Sequence, residues 1–99
     1  SYTNPEASPR PSMILLDLNM PGTDGREVIQ QVKQDEQLKS IPIVVLTTSS
    51  NHRDVSTCYY YGINSYLIKP IGFQALKQTV QDFFHYWLEL NVLPQIETP

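Results

Sequence analysis

Three residues suited to phosphoryl transfer each follow a short apolar run in this sequence. They are Asp17, Thr47 and Lys69. A carboxylate can attack a phosphoryl group as a nucleophile and form an acyl phosphate. An ammonium group and a hydroxyl group can each bind a phosphoryl oxygen, and such transfer needs little beyond positioning and charge neutralisation. The residue types therefore indicate phosphoryl transfer onto Asp17.

The apolar runs before these residues have the pattern of buried strands. They comprise residues 13–16, 43–46 and 66–68, and each ends at a polar residue. Short, continuous apolar runs are typical of strands that are buried on both faces of a parallel sheet. In open parallel sheets, ligands bind at the carboxyl ends of the strands. We therefore expect the three polar residues to converge on one edge of the sheet.

Amphipathic helix patterns separate and follow the runs. Asp24 can form a capping box with Glu27. Asn51 can cap a second helix that stops at Gly62, and a third apolar rhythm continues until Pro94. The residues at core spacing are Val28, Ile29 and Val32 in the first helix, Val55, Cys58 and Tyr59 in the second, and Phe73, Leu76, Val80, Phe83, Phe84 and Trp87 in the third. The predicted fold is α/β, a three-layer sandwich built on a parallel sheet with right-handed crossovers.

Composition and charge narrow the class of protein. The chain has 99 residues, 40% of them hydrophobic and 17% charged, which suits one globular domain. Its net charge of -3 argues against binding to a nucleic-acid backbone, and no window approaches the roughly 20 apolar residues of a membrane span. The single cysteine, Cys58, fits a reducing cytoplasm. We assign residues 1–12 to a loop or linker, residues 13–94 to the domain and residues 95–99 to a tail.

Three motifs resemble those of a known family. They are DLNMPGTDG from residue 17, VVLTTS from residue 44 and YLIKP from residue 66. Together they resemble the receiver domain of two-component response regulators, with its flavodoxin/CheY-like fold, over residues 13–93. The ending FFHYWLELNVLP is similar to the small stand-alone regulators that partner cyanobacterial phytochromes. The resemblance implies a cytoplasmic signalling protein, not an enzyme, that takes a phosphoryl group from a histidine kinase of the phytochrome type.

The resemblance also implies a role for each residue of the site. Asp17 would be the phosphoacceptor and a ligand of Mg²⁺, and the backbone carbonyl of Asn19 would be a second ligand. Thr47 would supply the hydroxyl that moves towards the phosphoryl group. Lys69 would be the cation that contacts that group.

Two further expectations follow from the resemblance. The Lys69–Pro70 peptide bond would be cis and would fix the approach of the lysine. Tyr66 would be the aromatic switch, and its signal would leave through the face formed by the helix 51–61, the Tyr66 strand and the helix 73–88. We expect this face to make a homodimer contact or a kinase contact.

The resemblance covers only part of the receiver fold. That fold has five strands in the order 2-1-3-4-5, and the motifs match its last three βα units. The acidic pair that ends the family's first strand and holds Mg²⁺ has no match, since the nearest upstream acid is Glu6. We expect the parent sequence to contain an upstream strand ending in two adjacent acids, and a parent sequence without them would contradict phosphorylation that depends on Mg²⁺. We also expect the Asp17 strand to be an unpaired edge, or the chains to exchange elements.

Two other functions fit part of the pattern. Phosphatases of the haloacid dehalogenase type also use a strand-end aspartate, a hydroxyl and a lysine, but they usually need a second aspartate two residues later as general acid and base. Asn19 occupies that position, and an amide cannot shuttle the proton. The other alternative is a receiver-like binding module that is never phosphorylated. The joint presence of Asp17, Thr47 and Lys69 argues against it.

Overall fold

The computed structural model describes residues 12–92, in which strands and helices alternate. The strands are β1 (Ile14–Asp17), β2 (Ile43–Thr47) and β3 (Ser65–Ile68), and the helices are α1 (Gly25–Gln34), α2 (His52–Tyr60) and α3 (Phe73–His85), followed by a π-helical segment (Tyr86–Leu90). The strands form one parallel sheet in the order β1-β2-β3. The predicted α/β fold with a parallel sheet is confirmed. The predicted tail, and the predicted linker except Ser12, lie outside the described residues.

The strand register brings the carboxyl ends of the strands to one edge. Asp17 of β1 lies opposite Leu46 of β2, and Thr47 lies opposite Ile68 of β3. Each strand therefore ends within about one residue of its neighbour. Within residues 12–92, β1 pairs only with β2, so the predicted edge position of the Asp17 strand is confirmed.

The main core lies between the sheet and the helices α1 and α2. Its buried members are Leu16, Ile29, Ile43, Val45, Cys58 and Ile63. Side chains along a strand alternate between the two faces of the sheet, so Ile43 and Val45 of β2 share this face. Ile29 brings α1 onto the sheet and Cys58 brings α2 onto it, as the apolar spacing predicts.

The second face of the sheet is covered over β2 but open over β1. Val44 and Leu46 point away from the main core, and both are buried. Burial of both faces of β2 is what the predicted three-layer sandwich requires. On the same second face, Leu15 of β1 is 39% exposed. The edge strand is therefore less sheltered than the central strand.

Local signals define the starts of the first two helices and the end of the second. The side chains of Asp24 and Asn51 each accept a hydrogen bond from the backbone N–H two residues later, at 3.1 Å and 2.8 Å. These bonds satisfy N–H groups that have no partner within the helix. At the end of α2, Gly62 has a φ of 105°, a conformation that a residue with a side chain rarely adopts. The predicted caps at Asp24 and Asn51 and the predicted stop at Gly62 are confirmed, whereas the return bond from Glu27 that a capping box requires is not formed.

The end of α2 corrects one core assignment. Tyr59 was predicted in the core, but it is exposed. Tyr61 packs against the core instead. The helix ends at Tyr60, and Tyr61 is its capping residue. Because the turn at Gly62 redirects the chain, the helical spacing that predicted Tyr59 in the core does not describe Tyr61.

The third helix differs from the prediction at both ends. Phe73 was predicted in the core but is 74% exposed at the first position of α3, where the preceding Gly72 offers no side-chain cap. At the other end, α-helical winding stops at His85 and continues as a π-helix, in which Asn91 N–H donates to the Tyr86 carbonyl at 2.8 Å. The predicted limit at Pro94 lies outside the described residues. No helix within residues 12–92 is both long enough and apolar enough to cross a bilayer.

Truncation of Ile29 should destabilise the fold. This side chain is fully buried between α1 and the sheet, so we expect Ile29→Ala to lower the free energy of unfolding by about 2–5 kcal/mol. Urea unfolding of the intact protein measures the change. The matched control is Gln31→Ala on the exposed side of α1, which should change it by less than about 0.5 kcal/mol. Equal losses in both variants would contradict the placement of this core.

Candidate functional site

Lys69 and Asp17 form an ion pair at the carboxyl edge of the sheet. Lys69 Nζ donates to both carboxylate oxygens of Asp17, at 2.8 Å to Oδ2 and 3.0 Å to Oδ1. The pair is partly sheltered, since the Lys69 side chain is 19% exposed and the Asp17 side chain 37%. The structure therefore brings together the carboxylate and the ammonium that the sequence pattern placed at the site.

Backbone hydrogen bonds beyond the strand ends hold the two residues in place. Leu18 N–H donates to the Leu46 carbonyl at 3.0 Å, and Lys69 N–H donates to the Thr47 carbonyl at 2.7 Å. Both bonds extend the parallel ladders past the last strand residues. The backbone of Asp17 and of Lys69 is consequently positioned by the sheet rather than by a free loop.

The ion pair determines the charge state of Asp17. The hydrogen bond from Lys69 is the main reason why the pKa of Asp17 is lowered, and partial burial of the carboxylate opposes it. Asn19 N–H donates to Asp17 Oδ1 at 2.8 Å and lowers the pKa further. The ionised carboxylate is the nucleophilic form. Asp17 is therefore in the reactive form at neutral pH.

Thr47 lies buried at the end of β2, next to Lys69 in the hydrogen-bond ladder. It is 2% exposed, and its Oγ1 accepts a hydrogen bond from Ser49 N–H at 3.2 Å. A hydroxyl carries one donor and two acceptor sites, so this bond leaves the hydroxyl proton available. Among the described side chains, the hydrogen bonds of Asp17 come from Lys69 and not from Thr47. Thr47 is thus at the predicted edge but outside the ion pair.

Tyr66, the predicted aromatic switch, contacts the loop after β2. Its ring packs against the main core, and its hydroxyl donates to the Ser49 carbonyl at 2.9 Å. Burial raises the pKa of the Tyr66 phenol. Tyr66 and Thr47 therefore share Ser49 as a neighbour.

A cavity of about 640 Å³ lies beside these residues. Thr47, Ser49 and Tyr66 line one part of it, Cys58 lines another, and residues 22–26 at the start of α1 line the opposite part. Its volume falls in the range of about 300–1,000 Å³ that is usual for ligand pockets. The ring of Tyr66 consequently has open space next to it.

Asn19 connects the loops that follow β1 and β2. Its Nδ2 donates to Thr48 Oγ1 at 3.2 Å, and its Oδ1 accepts from Thr48 N–H at 3.0 Å. The sequence analysis considered Asn19 as a backbone metal ligand and as the amide in place of a second aspartate, and it missed this pair. The two residues are 29 positions apart, and their one shared signal is that each follows a strand.

Ser49 also contacts the first turn of α2. Its Oγ donates to Asp54 Oδ2 at 2.6 Å and accepts from Asn51 N–H at 3.2 Å. The sequence identified Asn51 as the cap of a helix, which it is. It did not identify the link of Asn51 and Asp54 to Ser49, because Ser49 precedes the helix and no helical spacing includes it.

The described residues supply part of a magnesium site. The Asp17 carboxylate and the Asn19 backbone carbonyl are oxygen donors of the kind that Mg²⁺ prefers, and Mg²⁺ usually keeps several waters beside one or two carboxylates. Within residues 12–92, no group of three or more His, Cys, Asp and Glu side chains could hold a metal ion. These two oxygen donors fit the ion but do not complete its site.

The predicted cis peptide bond before Pro70 is wrong. The Lys69–Pro70 bond is trans, the form that is favoured at such bonds by about 0.5–1 kcal/mol. Lys69 Nζ reaches both oxygens of Asp17 from this backbone. The approach of the lysine therefore does not require the cis form.

Comparisons with known proteins agree on one family. The response regulator receiver domain matches residues 5–81. The chain is 51% identical to the response regulator Rcp1 of Synechocystis sp. over 89 residues. This aligned region covers 90% of this chain and 60% of Rcp1. It is 50% identical to the probable methanogenesis regulatory protein FilR2 of Methanothrix harundinacea over 84 residues. That aligned region covers 85% of this chain and 54% of FilR2. The chain therefore spans less than two thirds of the length of either relative.

Solved structures of similar proteins have the same architecture. The Mn²⁺-bound form of Rcp1 superposes with a TM-score of 0.81 at 50% identity, over 91% of this chain and 65% of that one. The phosphorylated cyanobacterial phytochrome response regulator RcpA superposes with a TM-score of 0.83 at 42% identity, over 91% of this chain and 64% of that one. These matches confirm the fold class, including its similarity to solved receiver domains.

Replacement of Lys69 should raise the pKa of Asp17. In Lys69→Met the carboxylate loses its main stabilising hydrogen bond while its partial burial remains. We expect the pKa to rise to or above the ordinary value of about 3.9. The chemical shift of the Asp17 carboxyl carbon, followed against pH in the intact protein, measures this change.

The control is Lys77→Met on α3, which should leave the pKa of Asp17 unchanged.

The ion pair between Lys69 and Asp17 also makes the stability of the fold depend on pH. Because the pKa of Asp17 is lower in the folded chain, its contribution is present above about pH 4 and is lost as the pH falls through the folded-state value. A stability difference between wild type and Lys69→Met that stays constant through this range would contradict the assignment.

Proposed function

This chain belongs to the response regulator receiver domain family, and from that premise we propose that Asp17 accepts a phosphoryl group from a histidine kinase. The observation that carries the proposal is the sheltered Asp17 carboxylate, whose two oxygens are both held by Lys69 at the carboxyl edge of the sheet. In the transfer, a bond forms between an Asp17 oxygen and phosphorus, and the bond between phosphorus and the kinase imidazole nitrogen breaks.

Lys69 and Thr47 stabilise the product. The phosphoryl group adds about -1.5 to -2 charges at neutral pH, and Lys69 Nζ, 2.8 Å from Asp17 Oδ2, is close enough to move to a phosphoryl oxygen. The Thr47 hydroxyl, with its proton not used by Ser49, donates to another oxygen. A bound Mg²⁺ would neutralise further charge, held by Asp17, the Asn19 carbonyl and acids outside the described residues. The Mn²⁺-bound form of Rcp1 supports a divalent cation at such a site.

Phosphorylation changes the chain through Thr47 and Tyr66. Movement of the Thr47 hydroxyl towards the phosphoryl group alters the loop that Thr47 shares with Ser49. The Tyr66 hydroxyl donates a hydrogen bond to the Ser49 carbonyl, so the ring responds to the movement. The chain acts as a switch in a two-component system and not as an enzyme.

The partner that we propose is a phytochrome-type histidine kinase in the cytoplasm. RcpA is a cyanobacterial phytochrome response regulator, and a bacteriophytochrome response regulator is also similar to this chain, at 41% identity and a TM-score of 0.57. These relatives support the kinase class. A phosphatase of the haloacid dehalogenase type is not favoured. The Asn19 side-chain amide is hydrogen-bonded to Thr48 and cannot act as the general acid and base that such an enzyme needs.

Substitution of Asp17 tests the proposal. We expect Asp17→Asn to abolish incorporation of phosphate from acetyl phosphate or from the kinase, because an amide cannot form the acyl phosphate. Mass spectrometry of the intact protein measures the added phosphate. The matched control is Asp24→Asn, which removes a nearby carboxylate but keeps a side chain that caps α1 equally well. Phosphate on the Asp17→Asn protein, or none on the wild type, would contradict the proposal, and the second result would favour the unphosphorylated binding module.

We further propose that the face formed by α2, β3 and α3 makes a homodimer contact or the kinase contact. Aromatic side chains are exposed on α2 and on the π-helical segment that continues α3, with Tyr60 85% and Tyr86 51% accessible. Exposed aromatic residues are enriched in protein interfaces. The face lies on the elements that carry and flank Tyr66, so a partner bound there would sense its position.

Charged substitutions should weaken that contact. We expect Tyr60→Glu combined with Tyr86→Glu to reduce dimer mass or kinase affinity, because each carboxylate would have to be desolvated in the contact. Light scattering measures the mass, and titration with the kinase measures the affinity. Gln31→Glu on α1 is the control and should change neither. If mass and affinity both stay at wild-type values in the double variant, the contact lies on another face.

A further inference from the structure

Ser49 lies between the phosphoacceptor edge and the first turn of α2. Its N–H donates to Thr47 Oγ1 at 3.2 Å and its carbonyl accepts from the Tyr66 hydroxyl at 2.9 Å. Its own hydroxyl donates to Asp54 Oδ2 at 2.6 Å. One residue therefore contacts both switch residues and the helix.

Asp54 makes an unusual bond for its position. It is the third residue of α2, where an acidic side chain commonly turns back to the N–H of the capping residue. Here the carboxylate accepts the Ser49 hydroxyl, and Ser49 Oγ takes the Asn51 N–H at 3.2 Å. A hydroxyl bonded to a carboxylate at about 2.5–2.7 Å is a strong, charge-assisted hydrogen bond. The Ser49 hydroxyl therefore makes two hydrogen bonds at the start of α2, one to the Asp54 carboxylate and one from the Asn51 N–H.

Packing alone does not determine the position of the Tyr66 ring. The ring borders the cavity of about 640 Å³ that Ser49, Asp54 and Cys58 also line. Where a side chain borders open space, it lacks close-packed neighbours on that side. The hydrogen bond to the Ser49 carbonyl is then the contact that favours the present position of the ring.

We propose that Asp54 is a positioning residue, which acts through Ser49 to hold the Thr47 hydroxyl and the Tyr66 ring where they can respond to Asp17. The inference rests on the proposed function, because Thr47 and Tyr66 form a switch only if Asp17 is phosphorylated. It adds the start of α2 to that switch. When Thr47 moves towards the phosphoryl group, Ser49 moves with it, and the bond to Asp54 transmits the movement to the helix.

Fluorine NMR of the intact protein labelled with 3-fluorotyrosine tests the inference, with the Tyr66 signal assigned from Tyr66→Phe. We expect Asp54→Ala and Ser49→Ala each to raise the ratio of Tyr66 rings turned away from Ser49 to rings bonded to it. The increase should be on the order of threefold to tenfold, the effect of one hydrogen bond. Ser49→Ala removes the bond to Asp54 and also the acceptor of the Asn51 N–H, so the double variant should shift the Tyr66 population no further than Ser49→Ala alone.

Two controls separate positioning from a general effect on helix stability. Asn51→Ala removes the cap of the same helix, so it should lower the melting temperature but leave the Tyr66 signal unchanged. Ser49→Thr keeps the hydroxyl and should keep the wild-type signal. A wild-type signal in Asp54→Ala and Ser49→Ala would overturn the inference. A shift in Asn51→Ala as large as theirs would also overturn it.

The measurement distinguishes this inference from the proposed function. The Tyr66 population is read in the unphosphorylated protein, so it tests the role of Asp54 even if Asp17 never takes phosphate. With the phosphorylated protein, we expect the Tyr66 signal of the wild type to change and that of Asp54→Ala to change less. An equal change in both would overturn the coupling, whereas a wild type that is not phosphorylated would overturn the proposed function alone.

Discussion

The ion pair between Lys69 and Asp17 spans the end of β2 and joins the two outer strands of the sheet. The residues are 52 positions apart in sequence, and Nζ nevertheless lies 2.8 Å from Oδ2. This contact requires three parallel strands in the order β1-β2-β3, with ends that coincide. It also requires the backbone ladders to continue past the strand ends. The same lysine lowers the pKa of the Asp17 carboxyl and, in the proposed function, would bind the phosphoryl group.

The loops around the ion pair are ordered by side chains that each bridge two segments. Asn19 connects the loops after β1 and β2 through its pair of hydrogen bonds with Thr48. Ser49 connects the end of β2 to Tyr66 and to the start of α2. Because each bridge joins two segments, these hydrogen bonds also restrict where the loops can lie. A charge change at Asp17 can therefore reach α2 and β3 through defined bonds.

The sheet is not equally sheltered along its width. β2 is buried on both faces, whereas Leu15 on the second face of β1 is 39% exposed, and β1 is an edge within residues 12–92. The chain spans 60% of Rcp1 and 54% of FilR2. Asp17 thus lies at the end of an edge strand, Lys69 follows the other outer strand, and Thr47 ends the buried central strand.

The sequence by itself determined the order of the strands and helices, the helix caps at Asp24 and Asn51, and the placement of Asp17, Thr47 and Lys69 at strand ends. Those features follow from local patterns, since apolar runs, capping side chains and glycines act within a few residues of their position. Tertiary structure decided the exposure of Tyr59, Phe73 and Leu15, the trans bond before Pro70, the π-helical winding after His85 and every bond that Ser49 makes beyond its own loop. Each of these depends on which distant residues share a neighbourhood. Burial and hydrogen-bond partnership between residues 17 to 52 positions apart, such as Ser49 with Tyr66 or Asp17 with Lys69, are set by the packing of the sheet and its helices, which no local pattern contains.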